Sequence, residues 1–184
     1  AEDEHFPLTE ACIAVAQHAF PDLDVQHILD EIDQLGDRLK KRISADASAV
    51  QRLQQLKHFF YTELGFGPNP NDFYAPENSY LHHVLQSRRG IPISLAILMM
   101  ELGNQIGLKI RGVSFPNHFM LRVSLPQGEI IMDPLTGASL SKHELQEMLD
   151  PYLEARGYVG ELQLPLNVFL RVSSCREIIS RFLR

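Results

Sequence analysis

Between residues 9 and 64 apolar side chains recur at intervals of three and four, the spacing of helices that bury one face. Cys12, Val15, Ala16 and Ala19 share a face behind Thr9, a candidate cap, and Pro21 limits that helix. Val25, Ile28, Leu29, Ile32, Leu35 and Leu39 follow Asp24, a second candidate cap. Val50, Leu53, Leu56, Phe60 and Leu64 follow Asp46 or Ser48, and Gly65 is the expected stop. The spacing predicts a helical N-terminal subdomain over 1–65. Three prolines, two glycines and two asparagines between Gly65 and Pro76 predict a loop, with Phe66, Phe73 and Tyr74 packing it down.

Helical spacing resumes over Glu77–Arg88, with Tyr80, Leu81, Val84 and Leu85 inward and Gly90 as the stop. Ile93–Ile106 is apolar nearly all round, the mark of a helix buried on most sides. The period then falls to two. Lys109–Phe115, His118–Leu125 and Glu129–Asp133 read as strands, the second alternating Phe119, Leu121 and Val123 with a more polar face of His118, Met120, Arg122 and Ser124. Pro126 suits the second position of a tight turn between the last two strands. Ser141-Lys142-His143-Glu144 has the form of a capping box, with Leu140 and Leu145 as its staple. A last helix is expected from Pro165, with Val168, Val172, Cys175, Ile179 and Phe182 inward, stopping uncapped at Arg184 as if cut mid-element. The fold class is α+β: helical N-terminal subdomain, core over 66–164 with the buried central helix on a small antiparallel sheet, and C-terminal helix over 165–184.

A formal net charge of -6 argues against a nucleic-acid binder, and the one dense basic cluster, Arg38, Lys40, Lys41 and Arg42, reads as a solvated helix end. No long uncharged apolar run suggests a membrane span, and the acidic start does not resemble a secretory signal. Cys12 and Cys175 form neither metal spacing nor a disulfide framework, and both read as core thiols in a reducing cytoplasm. His82 and His83 are adjacent on a helix and point to different faces; with no H-E-x-x-H, no Cys-x-x-Cys and no phosphate-cradling glycine loop, no metal or cofactor is expected.

One constellation carries chemistry. Ser94 opens the buried helix, His118 opens the second strand and Asp133 closes the third, the order of a nucleophile, a base and its orienter. A helix start offers free N–H groups and positive potential, which activate a thiol; a serine also needs a base in contact. Serine at a helix start is also an ordinary cap. If Leu125 pairs with Gly128, Asp133 lies opposite Met120 and diagonal to His118, within side-chain reach; if Pro126 pairs with Glu129, Asp133 falls opposite Arg122 and out of reach. Arg88 and Arg89, close before Ser94, with Asn117 beside His118, are candidate anion-binding or cleft residues.

The ordered motifs Asn78-Ser79-Tyr80-Leu81, Arg89-Gly90-Ile91-Pro92-Ile93-Ser94-Leu95, Gly112-Val113, Phe115-Pro116, His118-Phe119 and Asp133-Pro134 resemble the bacterial SirB-type proteins of the transglutaminase-like superfamily. That resemblance implies a circularly rearranged papain-like core, and a tetratricopeptide-repeat region after the link near Arg176–Arg184. It also maps a Cys-His-Asp triad onto Ser94, His118 and Asp133, with serine where the thiol stands, as is typical of the SirB-type group, and Asn117 where glycine usually precedes the histidine. The expectation that follows is a non-catalytic or residually active, pseudoenzyme-like module that binds a protein or peptide in a cytoplasmic regulatory protein. The alternative is a hydrolase or acyltransferase of peptide or amide bonds using Ser94, His118 and Asp133.

Overall fold

The computed structural model describes residues 7–71, 75–157 and 166–182. Helix α1 (Leu8–Ala19) begins after Pro7, so Thr9 lies inside it. The expected cap is instead a buried side chain whose hydroxyl donates to Glu101 at 3.3 Å. Helix α2 (Val25–Lys40) is capped by Asp24, which accepts from the His27 N–H. Helix α3 (Ala49–Lys57) carries a full capping box between Ser48 and Gln51. Its continuation, His58–Glu63, widens into a π-helical turn in which the Leu64 N–H reaches the Phe59 carbonyl. That extra residue turns Phe59 and Phe60 both fully inward.

The segment after Gly65 is not all loop. Strand β1 (Gly67–Pro68) pairs in parallel with β2 (Arg89–Gly90), a contact with no sequence signal. Between them a 3₁₀ turn (Pro76–Ser79) leads into helix α4 (Leu81–Ser87). The expected stop at Gly90 is corrected: Arg88 ends the helix in the left-handed region at φ 63°, and Gly90 belongs to β2.

Helix α5 (Pro92–Gln105) opens with proline at its first position, where the missing N–H costs nothing. Leu95, Ala96, Ile97, Met99 and, within 1% exposure, Leu98 are fully buried, as an all-round apolar helix requires. The sheet runs β3-β4-β5-β6, all antiparallel, with β3 (Lys109–Phe115), β4 (His118–Leu125), β5 (Gly128–Met132) and a short β6 (Ser139–Leu140). Phe119, Leu121, Val123 and Met132 join the same core as α1–α5. The alternate positions are a correction to the polar-face reading: Val113, Phe115, Met120 and Ile131 form a second core with Leu145, Leu149 and Leu153 of α6 (Lys142–Ala155). Both faces of the sheet are therefore covered. Ser141 caps α6 by accepting from the Glu144 N–H.

The single C-terminal helix expected from Pro165 is not formed; Pro165 itself lies outside the described residues. A 3₁₀ turn (Leu166–Leu170) leads to an isolated bridge between Val172 and Val113, and α7 (Cys175–Phe182) follows. The cause is the free edge of β3. Its backbone groups would be unpaired, and the Ser173 N–H meets the Gly112 carbonyl at 2.7 Å while the Ser114 N–H meets Ser173 Oγ at 3.0 Å. Val168 and Val172 consequently point outward, at 45% and 43% exposure, and Ile178 is a buried position of α7.

Candidate functional site

The site is built around the first turn of α5. Ser94 is its third residue, not its cap; Ile91 holds the cap position. Ser94 is 0% exposed. Its Oγ accepts from the Ile91 N–H at 3.1 Å, satisfying one donor that the helix start leaves over. Its one proton goes to the Asn78 carbonyl at 2.7 Å, with the Ile91 carbonyl at 3.2 Å as a weaker second acceptor. The hydroxyl thereby ties α5 to the 3₁₀ turn before α4. Gly90 permits this: a Cβ there would stand 2.7 Å from Ser94 Oγ and 3.0 Å from Leu95 Cδ2.

His118 follows a two-residue hairpin loop, Pro116-Asn117, and pairs with Phe115. Asn117 takes φ 61°, the left-handed position that a loop with proline before it favours and that glycine or asparagine tolerates best. His118 is exposed. Strand alternation puts it on the face of Met120, toward α6, whereas Phe119 and Leu121 face the α5 core.

The register is the first of the two open alternatives, Leu125 with Gly128 and Leu121 with Met132. Continued by one step, it sets Asp133 opposite Met120 and diagonal to His118. Asp133 is engaged locally, however. Its Oδ1 accepts from the Leu135 N–H at 2.8 Å, and its backbone closes a tight loop through Ala138 O and Gly137 N. Tyr61, donating to the Pro134 carbonyl at 2.7 Å, packs under that loop. Burial, and then the Asp133 charge, push the Tyr61 hydroxyl well above the usual phenol range. Gly137 leaves room for the ring: a Cβ there would stand 2.5 Å from Tyr61 Cε2.

The register thus sets the Asp133 backbone diagonal to His118 at one end of the β4–β5 hairpin, while His118 alternates onto the α6 side of the sheet and α5, which carries Ser94, packs on the other. Among the described residues no hydrogen bond joins any two of the three. Three clefts of the molecule are lined by other residues than these. Arg88 lies with its guanidinium 4.8 Å from the centre of the Phe66 ring, and one of its nitrogens, Nη1, is buried without a partner. Burial lowers its pKa from the ordinary arginine value, Arg38 adds to that, and Glu31 opposes it. Arg89 is exposed beside Gly67, and Asn117 is exposed at the hairpin tip. Arg89 is therefore the first residue of β2 and Arg88 the residue before it, while Asn117 lies at the β3–β4 hairpin tip. Cys12 is fully buried and its thiol is pushed up to about 12, by burial first and then by Cys175; Cys175 is half-buried.

The sequence pattern of the transglutaminase-like superfamily matches residues 26–184. The chain belongs to that superfamily. Its relatives include UPF0162 proteins of Xylella fastidiosa, 31% identical over all of this chain and 64% of that one, and of Pseudomonas aeruginosa, 34% identical over 96% of this chain and 62% of that one. The SirB1 protein of Salmonella typhimurium is 28% identical over 99% of this chain and 66% of its own length, which puts the chain in the SirB-type group. The chain spans 64% of the Xylella relative's length. A solved chain from Parabacteroides distasonis superposes on 73% of this one at TM-score 0.38 and 13% identity, too loose a likeness to carry an argument.

The sequence reading missed two groups. Tyr61 supports the Asp133 loop across 73 positions of chain and has no local signal. Glu101 did have a signal: it is the only ionisable side chain between Pro92 and Gln105. It meets Thr9 and lines a cleft.

Proposed function

We propose that this domain is a non-catalytic, transglutaminase-like protein-interaction module of a bacterial regulatory protein that works in the cytoplasm. One observation carries the reading: the Ser94 hydroxyl has no solvent exposure and its proton is given to a backbone carbonyl. A serine nucleophile must hand that proton to a base as it attacks, and the base must be in contact. Here the hydroxyl is a structural clamp. The relatives' greater length accords with a helical-repeat region, of the tetratricopeptide kind, in the complete protein. In this reading His118, Arg89 and Asn117 serve as exposed polar contacts for a partner, and Asp133 holds its loop.

The rival is a serine hydrolase or acyltransferase of peptide or amide bonds. The register that aligns Asp133 with the His118 face is what favours it. A fluorophosphonate probe separates the two. The module leaves no covalent adduct on Ser94, whereas labelling that disappears in Ser94→Ala would establish a nucleophile. The thiol version is sharper. A Ser94→Cys thiol sits where no solvent reaches, so it should alkylate at neutral pH more slowly than free cysteine, measured against the Cys12 and Cys175 background of the parent. Rapid alkylation there would mean an open, activated helix start, and the rival would stand.

A further inference from the structure

We propose that the cleft between α1, α5, β3 and α7 is a binding site for a small organic cation, a primary ammonium on an apolar body. The site lies on the C-terminal half of α5, away from the Ser94 turn. Its cavity is about 230 Å³. Leu29, Ile97, Met100 and Ile178 supply apolar wall from three elements, α2, α5 and α7, and Thr9, Glu10 and Glu101 supply the polar groups.

Glu101 decides the chemistry. Glu101 is half-buried on a mostly apolar helix, and burying charge is costly unless something compensates it. Its Oε2 accepts from Thr9 Oγ1 at 3.3 Å and its Oε1 from Gln105 Nε2 at 3.1 Å. Both donors are neutral, and among the described residues Glu101 has no ion-pair partner. An ionised carboxylate accepts at about four lone-pair sites, so roughly half its capacity is left for a ligand. Glu10 adds a second carboxylate at the cleft. Arg111 borders it with Nη1 3.4 Å from the Ile110 carbonyl, so carboxylates outnumber cations two to one among the lining residues. A bare metal ion does not fit this set: no group of three or more His, Cys, Asp or Glu that could hold one occurs among the described residues. Apolar walls with one oriented carboxylate match an ammonium carried on a hydrocarbon, which fills the cavity and donates where Thr9 and Gln105 leave room.

Titration of the protein with n-butylammonium, followed by methyl NMR, tests this. Saturable shifts are expected at Leu29, Ile97, Met100 and Ile178, with n-butanol binding about tenfold more weakly, the loss of one charge-assisted contact. Glu101→Gln keeps the shape and one amide acceptor, and should weaken n-butylammonium by about the same factor. Shifts that are absent, scattered over the surface, equal for the alcohol, or unchanged in a folded Glu101→Gln protein would overturn the proposal. The alcohol comparison uses the unmodified chain and stands even if the variant does not fold.

Discussion

The two halves of α5 treat the polar side chains Ser94 and Glu101 in opposite ways. At the N-terminal turn Ser94 is shut in, its hydroxyl shared between the Ile91 N–H and the Asn78 carbonyl. Toward the other end Glu101 reaches a cleft, held by two neutral donors and left with unused acceptor capacity. The difference teaches that a polar residue on a buried helix is not by itself a site. What matters is whether backbone groups consume it. The short polar arm of serine is taken up by the Ile91 N–H of its own turn and by the Asn78 carbonyl packed against it, while the longer glutamate arm reaches the side chain of another helix.

That contrast can be broken in graded ways. The largest effect should come from the shared packing. Leu95→Ala, at a fully buried position beside Ser94, is expected to destabilise the fold by about 2–5 kcal/mol in denaturant unfolding. A cost well below about 2 kcal/mol would mean that the helix start is looser than its burial indicates. Ser94→Ala comes next. It removes the hydrogen bonds that Ser94 makes to the Asn78 carbonyl and the Ile91 N–H, so about 1–3 kcal/mol of stability should be lost. A neutral Ser94→Ala would undo the clamp and reopen the catalytic reading.

The smallest effect is a pH dependence at α4. Burial, and then His83, lower the His82 pKa below its ordinary 6.5. The sign follows from proton uptake: between the two pKa values the unfolded chain binds a proton that the folded chain does not, so stability falls as pH drops below about 6.5 toward the folded value. Thermal melts of the parent and of His82→Gln should converge above neutrality in slope against pH and separate on acidification, the variant losing less. Parallel curves would remove His82 as a cause.

Much of this was legible in the chain. The all-round apolar run of α5, the period-two strands, the Asp24, Ser48 and Ser141 caps and the turn at Pro126 all form, because each rests on contacts within a few residues or on a repeat that one face must bury. The Ser94-His118-Asp133 order was legible too, but not its geometry. Whether three residues meet depends on strand register and on which layer each element joins. Periodicity shows that a face is buried and leaves its cover unnamed, which is why the His118–Ser124 face read as polar and proved to lie against α6.

The amino-acid sequence by itself determined most of the helices, the three long strands and the caps at Asp24, Ser48 and Ser141, since those follow from local sterics and from hydrophobic spacing, and its ordered motifs carried the resemblance to the superfamily. Tertiary structure alone decided that Ser94 gives its proton to a carbonyl 16 residues away, that β3's open edge draws the Val172–Ser173 segment out of a helix, and that Thr9 meets Glu101 across 92 positions. Those choices turn on hydrogen-bonding groups that must be satisfied once buried, and their partners lie far along the chain, where spacing carries no information.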